Sequence, residues 1–108
     1  HIPLERLVSK RDFDRQLYTV FADLRAKGHV VRSGLKYGFA FRVYEKGVKP
    51  GEDHALWLVE PLSEHQRMRV RDISGKNRVA HSTRKRMLFA IVDDEGSVTY
   101  IENIWKRL

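Results

Sequence analysis

The chain has 108 residues, enough for one domain and too few for two. Its apolar content of 42% can build a core, and the complete lack of cysteine excludes a disulfide-stapled secreted fold, a thiolate nucleophile and cysteine-ligated zinc. The formal net charge is +7, and no apolar run approaches the roughly 18 residues of a membrane span.

The elements read in order. Ser9 and Asp12 have the spacing of a capping box, and Val8 and Phe13 stand at the two hydrophobic-staple positions. Phe13, Leu17, Val20, Phe21 and Leu24 then recur on one face at helical spacing, and Gly28 ends the helix. Val30–Val31 is a short strand, and residues 33–38, with Gly34 and Gly38, read as a turn. From Phe39 to Tyr44 the pattern alternates, with Phe39, Phe41 and Val43 on one face and Ala40, Arg42 and Tyr44 on the other.

A loop with Pro50-Gly51 leads to a strand expected from His54 to Glu60, which puts His54, Leu56 and Leu58 on a common face and stops at Pro61. Ser63 and Gln66 form a second S-x-x-Q signature, expected to cap a basic helix. Met87 to Val92 is a continuous apolar run of strand length, the mark of a central strand covered on both faces. Asp93-Asp94-Glu95-Gly96 is an acidic turn, and Val98 to Trp105 is the last strand. Two helices among about five strands predict a mixed α/β fold, a helix-covered sheet rather than a barrel or bundle.

The charge is localised. Arg67, Arg69, Arg71, Lys76, Arg78, Arg84, Lys85 and Arg86 face the single acid Asp72 within residues 67–86, so the rest of the chain balances to zero. Such a surplus suits a polyanion footprint, with a solvated helix face as the plainer alternative.

Several strings taken together resemble the catalytic domain of tRNA-splicing (tRNA-intron) endonucleases. They are Leu24-Arg25-Ala26-Lys27-Gly28, then residues 30–38, then Phe41-Arg42-Val43-Tyr44, with His54 ten residues on. Arg78-Val79-Ala80-His81-Ser82-Thr83-Arg84-Lys85, the Leu88–Val92 run and Tyr100-Ile101-Glu102…Trp105 continue the match over nearly the whole chain. Archaeal members usually carry a further N-terminal domain. The chain, which opens on His1, therefore reads as an isolated catalytic domain or a processed fragment.

The resemblance implies a metal-independent ribonuclease that needs no cofactor, with Tyr44, His54 and Lys85 at the catalytic positions. The residue types suit attack of a ribose 2′-hydroxyl on the adjacent phosphate, which needs a proton acceptor, a proton donor and a cation. A phenol is a poor base near neutrality unless cations favour phenolate, whereas an imidazole readily donates there. Taken singly, each has a duller reading: a packing tyrosine, an edge histidine, one more solvated lysine. His1, His29, His65 and His81 show no metal-ligand spacing with carboxylates.

The resemblance further implies that Arg78 contacts a bulged base, with Arg84 nearby and Trp105 as a candidate partner, although Trp105 reads equally well as a core residue. It also implies that the acidic loop of Asp93, Asp94 and Glu95 enters a basic pocket on a neighbouring subunit. Precursor tRNA is thus the expected substrate, a second copy or another endonuclease subunit the expected partner, in a dimer or tetramer, and the cytoplasm the expected location. Two rivals stand beside this reading. One is a non-catalytic RNA-binding subunit of the same fold. The other is a metal-dependent nuclease, disfavoured because no strand carries the carboxylate pair followed by lysine that such enzymes need.

Overall fold

A computed structural model describes residues 10–49, 54–106 and 108. Helix α1 (Lys10–Ala26) precedes strand β1 (Val31–Ser33), a 3-10 turn (Leu35–Tyr37), β2 (Phe41–Val43), β3 (Trp57–Ser63), helix α2 (Val70–Ser82), β4 (Arg86–Val92) and β5 (Val98–Asn103). The five strands form one sheet in sequential order. All neighbours are antiparallel except β3 and β4, which run parallel because α2 crosses over between them. No described helix is long and apolar enough to cross a membrane.

The sheet has a helix on each face. Val20 and Leu24 of α1 pack with Val31, Val43, Val59, Ala90 and Val92 on one side. Ala80 of α2 packs with Phe39, Leu58, Leu62, Met87 and Phe89 on the other. Alternate residues of β4 thus enter opposite cores, which is why its apolar run is unbroken. Within α1 the expected apolar face is largely buried, whereas Phe21 sits at the rim, its ring 6.1 Å from that of Phe41. The expected cap at Ser9 and staple at Val8 lie outside the described residues. Gly28, at φ +92°, ends α1: its N–H donates to Arg25 O and that of His29 to Leu24 O, the paired bonds of a Schellman motif.

Four local expectations are corrected. The strand expected from Phe39 keeps only Phe41–Val43, and Phe39 joins the α2-side core, opposite Phe41 and Val43. The cause is Gly34, whose N–H bonds to Ala40 O and whose carbonyl accepts the N–H groups of Tyr37 and Phe39. A Cβ at Gly34 would lie 2.7 Å from the carbonyl carbon of Phe41, so only glycine permits this close approach.

The strand expected from His54 to Glu60 instead spans Trp57–Ser63 and runs through Pro61. Among the described residues its pairing with β2 stops at Val59, so the missing N–H of Pro61 breaks no bond of that ladder. Ser63 and Gln66 do not cap a helix. Gln66 Oε1 accepts the Ser63 N–H at 3.0 Å in a free-standing turn, and α2 starts only after Arg69. The last strand stops at Asn103, short of Trp105.

Candidate active site

The sheet register brings three distant segments to one edge. Val43 pairs with Trp57, and Trp57 pairs with Arg86, so the end of β2 and the starts of β3 and β4 form a single row. Tyr44 is the residue just past that row, Lys85 the residue just before it, and His54 lies three positions upstream of Trp57. All three line one cavity of about 170 Å³ together with Lys36, Tyr37, Arg42 and Ala55.

Each is held by its backbone. The Tyr44 N–H donates to Val30 O at 3.0 Å, and its carbonyl lies 2.8 Å from His29 Nδ1. The His29 ring stands edge-on to Trp57, which fixes this anchor against the sheet. His54 is exposed and leads into buried Ala55, while the next residue, Leu56, donates its N–H to Val43 O and accepts that of Arg86.

Lys85 is delivered by the end of α2. The Arg84 N–H donates to His81 O and the Lys85 N–H to Ala80 O at 2.8 Å, a second Schellman motif. Its left-handed position is filled by Arg84 at φ +58°, not by glycine. The Lys85 ammonium then sits 5.4 Å from the centre of the Tyr37 ring, within cation–π range. The polar groups that this set offers are phenols, an imidazole and several cations.

The cations of residues 67–86 divide into committed and uncommitted ones. Lys76 reaches Glu60 at 3.5 Å and also donates to Gly38 O; Arg86 is paired with Glu102 on β5. Among the described residues, no carboxylate pairs with Arg67, Arg69, Arg71, Arg78, Arg84 or Lys85. The basic surplus is therefore mostly unspent.

Of the other expected site residues, Arg84 immediately precedes Lys85 at this edge and Trp105 shares a cavity with Lys85, whereas the acidic turn follows Val92 at the far end of β4. Arg78 and Arg84 are exposed. Trp105 is 49% exposed and so not a core residue, and its ring meets His81 edge-on at 4.0 Å rather than facing Arg78. Trp105, His81 and Lys85 share a second cavity of about 190 Å³ with Asn77 and Asn103, so Lys85 faces both cavities. In the acidic turn, Asp93 Oδ1 accepts the N–H groups of Glu95 and Ser97, while the exposed Asp94 lies 3.3 Å from His65 Nε2 and Glu95 is exposed.

Sequence reasoning missed Lys36, Tyr37 and Arg42. Arg42 did carry a signal: it alternates in phase with Tyr44 along the strand. Lys36 and Tyr37 carried none, because a 3-10 turn built on Gly34 brings them in.

The model of the tRNA intron endonuclease catalytic C-terminal domain matches residues 14–100. A tRNA-splicing endonuclease of Thermococcus gammatolerans is 45% identical over 106 residues, covering 96% of this chain and 61% of that protein. One from Thermococcus kodakarensis is 47% identical over 90 residues, covering 83% and 52%. One from Sulfurisphaera tokodaii is 46% identical over 95 residues, covering 87% and 52%. The chain thus spans between about half and three fifths of the length of these curated relatives. Fold, register and similarity over most of its length agree that this chain belongs to the tRNA intron endonuclease catalytic-domain family.

Proposed function

We propose that this chain is an RNA endonuclease that removes introns from precursor tRNA at bulge-helix-bulge sites. The observation that carries the reading is the convergence of Tyr44, His54 and Lys85 on one cavity at the Val43–Trp57–Arg86 row. The chemistry is an in-line attack within the RNA. Tyr44 orients the 2′-hydroxyl and takes its proton as O2′ bonds to phosphorus. The P–O5′ bond breaks, and His54 gives its proton to the departing 5′-oxygen. Lys85 stabilises the negative charge on the non-bridging oxygens. The products are a 2′,3′-cyclic phosphate and a 5′-hydroxyl, with protons balanced between the two side chains.

Around this centre, exposed Arg78 and Arg84 hold the RNA backbone or a bulged base, and half-exposed Trp105 offers a flat face for stacking. The exposed acids of the 93–96 turn fit a basic pocket on another subunit, and two joined copies would place two cleavage sites at a fixed spacing. The test is incubation of an intron-containing precursor with the protein in excess EDTA. Cleavage leaving cyclic-phosphate ends is expected. Binding without cleavage would instead assign a non-catalytic subunit, and activity restored only by magnesium would remove the mechanism.

A further inference from the structure

The cavity contains an unused donor. Arg42 lines it beside Tyr44, His54 and Lys85, and its Nε is buried without a hydrogen-bond partner. A buried guanidinium N–H without a hydrogen bond is unfavourable and calls for an acceptor. Among the described residues that line the cavity there is no carboxylate, and three of them, Lys36, Arg42 and Lys85, are cations. Register compounds the excess, because Arg42 on β2 pairs directly with Arg32 on β1. Like charges opposite one another on a sheet repel. The short β2 strand thus holds a guanidinium against its electrostatic interest at the very edge where the reactive groups meet.

We infer that Arg42 is a second phosphate-binding residue of this site, gripping the scissile phosphate through its guanidinium fork while Lys85 approaches as a point charge. This rests on the endonuclease reading for its substrate, but the anion site itself does not. Guanidinium is suited to the task because its planar donors match two phosphate oxygens at once, which an ammonium cannot do. Entry of a phosphate satisfies the orphan donor and screens the Arg32–Arg42 repulsion. As negative charge grows on the equatorial oxygens, two cations of different geometry stabilise it and hold the phosphorus in line. Tyr37 belongs to the same wall, its ring lying 5.4 Å from the Lys85 ammonium and 5.1 Å from that of Lys36.

The experiment has two independent arms. The first follows the Arg42 Nε–H resonance of the wild-type protein during titration with inorganic phosphate and, separately, with a precursor RNA carrying a 2′-deoxy cleavage site. Both should shift it. The second measures single-turnover cleavage: Arg42→Gln should lose roughly a hundredfold in rate, the usual scale for one transition-state donor, with RNA affinity changed less than threefold. Arg42→Lys, which keeps the charge without the fork, should recover part of that loss, and both variants should melt within a few degrees of wild type. If the wild type cleaves but its Nε–H resonance ignores phosphate and RNA, or if Arg42→Gln cleaves within threefold of wild type, the assignment is overturned. If the wild type cuts no precursor while phosphate still moves the Nε–H, the anion site stands and the endonuclease reading falls.

Discussion

His54 is exposed and lines the cavity, whereas Tyr44 is buried. A substitution there should act on chemistry and leave the fold alone. His54→Ala is expected to slow cleavage by roughly a hundredfold or more, the scale of a lost general acid, while RNA binding by filter retention barely changes. Cleavage at wild-type rate would remove His54 from the mechanism. Tyr44 is a harder residue to test, because it is buried and its backbone ties β2 to Val30 and His29. Tyr44→Phe keeps that packing and removes only the hydroxyl.

The two helices end in the same motif with different residues at the left-handed position, Gly28 after α1 and Arg84 after α2. A non-glycine residue there costs about 1–2 kcal/mol, partly offset by the freedom glycine adds to the unfolded chain. Arg84→Gly should therefore stabilise the domain by about 0.5–1 kcal/mol, raising its melting temperature by roughly 2–6 °C. The same change should weaken RNA binding and reduce its salt dependence by about one phosphate contact. Stability and binding moving in opposite directions would show why an arginine is kept where a glycine fits. Calorimetry and a salt titration decide it.

At the other helix, the Tyr100 hydroxyl donates to Asp23 Oδ2 at 2.6 Å, and Lys27 lies 2.8 Å from the same oxygen. Burial pushes the Asp23 carboxyl up, but the hydrogen bonds from Lys27 and Tyr100 outweigh it and hold it below the usual value. Burial and the hydrogen bond to Asp23 push the Tyr100 phenol well up. The Asp23 contribution is thus complete above its unfolded value near 3.9 and lost as pH falls through the lower folded value. The Tyr100 contribution is complete below about pH 10 and lost as pH rises beyond it. Tyr100→Phe should cost about 1 kcal/mol near neutrality in urea unfolding, and its gap to wild type should narrow below about pH 3.9 and above about pH 10.

Charge of the two signs is concentrated in separate stretches of the chain. Uncommitted cations lie between residues 67 and 86, whereas Asp94 and Glu95 lie exposed on the β4–β5 hairpin. A body with such a charge distribution is suited to binding both an RNA and a complementary surface on another subunit. The acids are not equivalent, however. Reversing Asp93 would also break the turn, since its carboxylate holds two backbone N–H groups. Asp94→Lys with Glu95→Lys is the cleaner change. It should dissociate the assembly and abolish intron cleavage while the circular dichroism spectrum and melting temperature stay near wild type. A native mass that survives the reversal in sedimentation would leave the acids as a soluble turn.

Periodicity alone was enough for α1, for the doubly covered β4 and for the glycine that closes the first helix, because each is written in contiguous residues whose spacing matches one backbone period. The candidate trio of Tyr44, His54 and Lys85 was picked out only through the ordered family-like strings, since a single tyrosine, histidine or lysine has no local signature. Contacts between segments decided the rest. Pro61 reads as a strand terminator, but the described β2 pairing ends at Val59, so the proline removes no bond of that ladder. Phe39 reads as a neighbour of Phe41 until the close approach of Gly34 bends the chain and sends it to the opposite core. Lys36 and Arg42 read as a turn lysine and an exposed strand arginine, yet the Val43–Trp57–Arg86 register sets them around the same cavity as Lys85, more than forty positions away in the sequence. Strand register is a long-range property, fixed by which apolar faces can be buried together, and the cationic wall of this site exists only once that pairing is made.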